Sequence, residues 1–292
     1  MSNAFFEIPI PINEPVKEFR DGSIEKKELL NTIQEMKKNQ VDIPMIINGK
    51  EVKTSKKIEI RAPHNHKLKL GTFNEGDESH VKMAIDAALK AKKEWGSMSW
   101  QSRASIFLKA AELIAGPYRS KINGSTMLGQ SKNVFQAEID AACEFIDFLN
   151  FNASYMEEIY KNQPESSDGM WNRLDYRPLE GFVFAISPFN FTSIAGNLCA
   201  SPALMGNTVV WKPAYPQIYS ANIIMEVFKE AGLPDGVINI IYVDGPVAGD
   251  IIFKHKEFAG LHFTGSTAVF KNLWKEIGNN VDRYKSCLLY TS

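Results

Sequence analysis

The residues able to do chemistry in this 292-residue chain sit where short apolar runs end. Ser187-Pro-Phe-Asn-Phe191 follows the first such run, Trp211-Lys-Pro213 ends the second, and Thr264-Gly-Ser266 follows the fourth. Pro188 fixes its own φ and biases Ser187 toward an extended backbone, so Asn190 is held at a strand-to-helix junction where its amide either donates to a ligand or caps the helix. Lys212, kept extended by Pro213, is either a donor to a ribose hydroxyl or phosphate, or an exposed structural lysine. Gly265-Ser266 opens a helix, whose free backbone N–H groups and dipole favour a phosphate, although the pair is also common at helix starts. Glu144 lies three residues after Ala141 and four before Phe148, beside positions expected to face the core; helix geometry alone reads it as a stripe-edge residue reaching back to water.

The elements that must position these groups follow from apolar spacing. Residues 181–186, 208–211, 237–242 and 258–263 read as strands; 192–205, 216–231 and 246–253 read as the helices between them. Apolar strands separated by helices predict a doubly wound parallel α/β sheet, covered on both faces, with its ligand at the carboxyl ends of the strands. Upstream lies a helical region. Residues 24–38 form a charged helix, Asn48-Gly49 marks a peripheral hairpin, and Asp77 and Ser102 open two amphipathic helices, the second ended by Gly116-Pro117. A longer helix runs over 133–161 with Ala137, Ala141, Phe145, Phe148 and Phe151 on its apolar side.

Composition narrows the classes of function. Hydrophobic residues make up 44% and the formal net charge is -1, so no field draws in nucleic acid or an anionic membrane. No apolar run approaches the roughly 20 residues of a membrane span. Residues 1–19 lack the basic and long apolar segments of a targeting sequence, so a cytoplasmic location is expected. Cys143, Cys199 and Cys287 make neither a disulfide framework nor a zinc cluster, and no His-Glu-x-x-His pattern occurs, so no metal is expected. Other dinucleotide signatures are missing: no Gly-x-Gly-x-x-Gly follows the first strand, and neither Tyr-x-x-x-Lys nor a Gly-Lys-Ser/Thr loop is present.

Ile186-Ser-Pro-Phe-Asn-Phe-Thr192, Leu204-Met-Gly-Asn207, Trp211-Lys-Pro213 and Phe263-Thr-Gly-Ser266 together strongly resemble the aldehyde dehydrogenase superfamily. Phe107-Leu-Lys-Ala-Ala111, Gln136-Ala-Glu-Ile-Asp-Ala-Ala142 and Phe145-Ile-Asp-Phe148 carry the likeness upstream, over most of residues 40–286, toward the branch that oxidises glutamate γ-semialdehyde, the open form of pyrroline-5-carboxylate. The resemblance implies NAD as cofactor and a small aldehyde as substrate. It implies Asn190 as the amide that stabilises the oxyanion, Phe191 as an aromatic wall and Glu144 as a substrate-site carboxylate. It further implies Ser187, Pro188, Phe189, Lys212, Gly265 and Ser266 as cofactor contacts.

Two departures stand out. Phe270 replaces a second glycine common in the phosphate segment, and Tyr215 stands where many members carry an acidic partner for the adenosine ribose, so preference for NAD over NADP rests on the likeness. The resemblance divides the chain into an arm and hairpin (1–60), a helical part (61–159), part of an oligomerisation flap (160–178) through which full-length copies would assemble, a Rossmann-like core (179–286) and a non-family tail (287–292). The family's catalytic Glu and nucleophilic Cys belong beyond residue 286, so the chain is expected to be truncated and inactive alone; Cys287 has no motif that would make it the nucleophile. A nucleotide-binding module without catalysis, or an aldehyde dehydrogenase of other specificity, are the alternatives.

Overall fold

The computed structural model describes residues 5–286. In chain order the elements are α1 (Ile24–Lys38), β1 (Val41–Ile43), β2 (Met45–Ile47), β3 (Lys50–Val52), β4 (Lys57–Ala62), β5 (Asn65–Asn74), α2 (Glu78–Ser97), α3 (Trp100–Ala115), α4 (Arg119–Gln130) and α5 (Val134–Ala137). A π-helical turn, Glu138–Glu144, joins α5 to α6 (Phe145–Lys161). Then come β6 (Phe182–Ile186), α7 (Thr192–Leu204), β7 (Val209–Lys212), α8 (Ile218–Glu230), β8 (Ile238–Ile240), α9 (Gly245–Ile252), β9 (Phe258–Phe263) and α10 (Thr267–Asn279).

Six strands form the main sheet in the order β3-β2-β8-β7-β6-β9, of which β8, β7, β6 and β9 are parallel. From β6 the chain steps outward through β7 to β8, then crosses back to lay β9 on the other side of β6. The order therefore reverses between β6 and β9, which is the switch point where open α/β sheets bind ligands at their carboxyl ends. β6 is apolar and almost wholly buried, as helices on both faces require.

The hairpin at Asn48-Gly49 forms, with φ of 51° and 70° at the two turn residues as a tight primed turn demands. It is not peripheral. Met45 and Ile47 are buried, and β2 pairs antiparallel with β8 through Ile46 and Ile240, so the hairpin extends the main sheet. A second sheet, β1-β5-β4, occupies residues that the sequence pattern assigned to arm and helices; its strands are charged and alternate weakly, which hid them.

Several helices begin where polar caps sit. Asp77 caps α2 in a capping box with His80, and Asn133 caps α5 in one with Gln136, while α3 starts at Ser99 rather than Ser102. An additional helix, α4, follows Gly116-Pro117. The predicted helix over 133–161 is continuous but interrupted by the π turn, which shifts the apolar face: Ala141, Phe145, Ile146, Leu149 and Met156 are buried, whereas Phe148 and Phe151 are only half-buried. Phe145, Phe228 and Phe107 meet edge to face, at 6.2 and 5.9 Å between successive centroids, and tie α6, α8 and α3 together.

The arm before α1 is extended and held by carboxylates of the long helix: the amides of Ile8, Glu14 and Lys17 donate to Glu157, Asp147 and Glu138. Residues 162–178 form no regular element. Leu174 N donates to Gln163 and the Tyr176 hydroxyl donates to the Asn162 carbonyl, so the segment doubles back as a loop that leaves Trp171 88% exposed.

Candidate functional site at the carboxyl edge of the sheet

The register of the parallel strands aligns the three chemical segments. Ile186 is opposite Phe263 on one side and Lys212 on the other, and the Thr264 and Ser187 amides continue the ladders to the Ile186 and Lys212 carbonyls. Adjacent strands lie about 4.8 Å apart, so the ends of β7 and β9 are separated by roughly 10 Å across β6. The loop after β6, the start of α10 and Lys212 thus share one shelf at the switch point.

Each segment is fixed differently. The Ser187 hydroxyl is buried, accepting from Trp211 Nε1 at 3.0 Å and donating to Gln217 Oε1 at 3.2 Å, so its side chain is spent internally and only its main chain faces outward chemistry. Gln217 also donates to the Phe191 carbonyl at 2.6 Å, clamping the loop at both ends. Pro188 is buried and Phe189 exposed. The Asn190 side chain makes no hydrogen bond among the described residues. Helix α7 starts after Phe191 without a side-chain cap of its own, so the Asn190 amide is free rather than spent as a cap.

That cap comes from the π turn. Asp140 accepts from the Thr192 and Ser193 amides at 3.2 and 3.3 Å, from the Ser193 hydroxyl at 2.9 Å and from Lys132 Nζ at 2.6 Å. The Ser193 hydroxyl also lies 2.6 Å from Glu144 Oε2, so Glu144 is anchored beside the first turn of α7 and does not simply reach to water. Lys132 Nζ sits 4.1 Å from the centroid of Phe191, a cation–π contact that steadies a ring 39% exposed. Glu144, Asn190 and Phe191 are therefore brought together.

Lys212 lies at the end of β7, half-buried, with no hydrogen-bond or ion-pair partner among the described residues. Burial strips water from its ammonium and lowers its pKa, which the nearby Asp244 carboxylate opposes. At the third segment, Ser266 caps α10, its hydroxyl accepting from Val269 N at 3.3 Å, and residues 265–268 are exposed. A Cβ on Gly265 would lie 2.6 Å from the end of the Phe263 ring, so any other residue there requires that ring to move.

Asp140, Lys132 and Gln217 were not singled out from sequence. Asp140 lay unremarked within the Gln136-to-Ala142 segment, and nothing local marked Lys132 or Gln217. Cys143 and Cys199 are buried and reduced, burial pushing the Cys143 thiol up to about 12 and the Cys199 thiol well above its ordinary value. Cys287 lies outside the described residues. Among the described residues no His, Cys, Asp and Glu cluster of three or more could hold a metal, and no helix is long and apolar enough to cross a membrane. Two cavities lie away from the shelf, one of about 330 Å³ between β1, β2 and α8, the other of about 370 Å³ under α10.

A model of the aldehyde dehydrogenase family matches residues 51–289. A probable delta-1-pyrroline-5-carboxylate dehydrogenase of Schizosaccharomyces pombe is 49% identical over 280 residues, covering 95% of this chain and 51% of its own. The mitochondrial delta-1-pyrroline-5-carboxylate dehydrogenase of Dictyostelium discoideum is 44% identical over 275 residues, covering 94% and 49%. Its name sets the cytoplasmic expectation against the compartment of a relative. The crystal structure of the Mycobacterium tuberculosis delta-pyrroline-5-carboxylate dehydrogenase bound with NAD superimposes with a TM-score of 0.96 at 46% identity, covering 98% of this chain and 54% of that one. The chain spans about half the length of the relatives it matches.

Proposed function

Because the chain belongs to the aldehyde dehydrogenase family, we propose that it forms the NAD-binding half of an enzyme that oxidises L-glutamate γ-semialdehyde to L-glutamate in proline degradation. The observation that carries the reading is the alignment of Phe263, Ile186 and Lys212 at a switch point. It brings a donor, a free amide and a helix start to one edge.

The residues fit a dinucleotide. Lys212 offers an unpartnered ammonium for the adenosine ribose, and the first turn of α10 offers exposed amides and a favourable dipole for the pyrophosphate. Pro188 and Phe189 line the same loop, with the Ser187 main chain. NAD supplies the hydride acceptor when bound. The chain's own residues bind and orient. The Asn190 amide donates to the aldehyde oxygen as charge develops on it, which is effective because Gln217 and Asp140 hold the loop rigid beforehand. Phe191 walls the aldehyde, and Glu144 is a carboxylate of the substrate site, held by the Ser193 hydroxyl.

The relatives extend over about twice this length, and the sequence carries no match to the family's Glu and Cys segments, so the chain alone is expected to bind NAD and turn nothing over. Assembly of full-length copies through 160–178 is part of the same proposal, supported by exposed Met170, Trp171 and Leu174. Calorimetric titration of the 292-residue chain with NAD tests the reading. Lys212→Met is expected to weaken binding about tenfold or more, the worth of one hydrogen bond to a charged group. Absence of NAD binding, or binding indifferent to Lys212, overturns it. Turnover of the semialdehyde by the chain alone overturns the expected inactivity.

A further inference from the structure

Lys212 has a neighbour that the strand pattern does not reveal. Tyr215, three residues on in a short 3-10 turn, packs its ring against Phe73 at 5.0 Å between centroids and lies 5.6 Å from Lys212 Nζ. Its hydroxyl donates to Glu75 Oε1 at 2.7 Å, across 140 residues of sequence. Glu75 is only 10% exposed in its side chain, and its other oxygen pairs with Lys56, whose own side chain is 70% exposed. Burial and the Glu75 carboxylate both raise the Tyr215 pKa, so the phenol keeps its proton at any working pH.

We propose that Glu75 and Tyr215 make the ribose end of the site selective for NAD over NADP, by committing the single proton of the Tyr215 hydroxyl so that this group can only accept. This rests on the NAD reading above. A hydroxyl has one proton and two lone pairs; with the proton on Glu75, only lone pairs remain for a ligand. Lys212 is donor only. With Lys212 Nζ 5.6 Å from the centre of the Tyr215 ring, a donor and an acceptor on one short loop match a vicinal diol, one hydroxyl taking from Lys212 and the other giving to Tyr215. A 2′-phosphate is anionic near neutral pH and offers the Tyr215 oxygen little or no proton. It meets lone pairs backed by Glu75, with Asp244, the cap of α9, adding a second like charge near Lys212. Sites built around a specific hydrogen-bond pattern reject ligands that cannot complete it. Glu75 acts through Tyr215 and is a positioning residue; Tyr215 is the contact.

The test is the ratio of NADP to NAD dissociation constants, measured by titration calorimetry on the 292-residue chain and two variants. The wild-type ratio is expected to be about tenfold or more, as one unmatched polar contact requires. Glu75→Met frees the Tyr215 proton for a phosphate, so the ratio falls through a gain in NADP binding. Tyr215→Phe keeps the Phe73 packing but removes the acceptor, so it falls through a loss of NAD binding; this variant carries the test if Glu75→Met does not fold. Two different routes to a lower ratio are not what a structural role produces. An unchanged ratio, or equal weakening of both cofactors, overturns the proposal, as does a wild type that binds both equally well. A wild type that binds no NAD sinks the cofactor reading itself, and this inference with it.

Discussion

Replacing Asp140 by alanine removes four interactions at once, and the cost can be worked from them. The carboxylate is buried, caps α7 through two amides, accepts the Ser193 hydroxyl and pairs with Lys132. Loss of a helix cap costs about 1 kcal/mol. Breaking a buried pair by removing one partner costs roughly 3–5 kcal/mol. Lys132 retains the Phe191 ring and some solvent, which offsets part of this, so a total of about 3–4 kcal/mol is expected. With a urea slope near 3 kcal/mol per molar, the midpoint of a far-ultraviolet circular dichroism melt should fall by about 1 M. Asp140→Asn, which can still accept but carries no charge, should lose about half as much. A shift for Asp140→Ala below about 0.3 M would refute the view that this carboxylate fixes the start of α7.

Three further outcomes are expected. Gly49→Ala forces a side chain into φ 70° and against the Asp235 carboxylate, and should cost about 1–2 kcal/mol, read as a melting temperature lower by several degrees; an unchanged melting temperature contradicts the turn geometry. Peptide mapping after iodoacetamide treatment at pH 8 should find Cys143 and Cys199 unmodified in the folded chain and modified in urea, and rapid labelling of either in the native state speaks against their burial. The Asp77 carboxyl, held near pKa about 2 by Ser79 and His80, has a folded pKa below its unfolded value. Its support of α2 is therefore complete above the ordinary carboxylate range and is lost as pH falls toward 2; a carboxyl titration by NMR with a midpoint at 4 contradicts the cap.

What the sequence reveals depends on how local the cause is. Strand β6 is a continuous apolar run, β9 is one interrupted only by His262, and both are found where the pattern puts them. The Asn48-Gly49 turn is legible because its two residues tolerate positive φ, but its docking on β8 is a tertiary event that no local pattern carries. Strands β4 and β5 stayed hidden because Arg61, His66, Lys67 and Lys69 disguise the alternation. At the site, Lys212 and Asn190 announce themselves by their positions after short strands. Glu75, Asp140 and Gln217 act across 26 to 140 residues, Lys132 joins them through Asp140, and none was foreseen. Ser187 was legible in place but not in use, since its hydroxyl turns inward to Trp211.

The π turn over Glu138–Glu144 makes residue count, and not only residue type, a property of this protein. Ser193 reaches Asp140 and Glu144 together because the two carboxylates, four residues apart, project from one side of the widened turn. Deleting one residue there would tighten the wide turn to regular winding and shift Asp140 and Glu144 relative to each other and to α7, while leaving the composition almost untouched. Substitutions in this stretch should be costly at Glu138 and Asp140, and single-residue deletions costly wherever in it they fall.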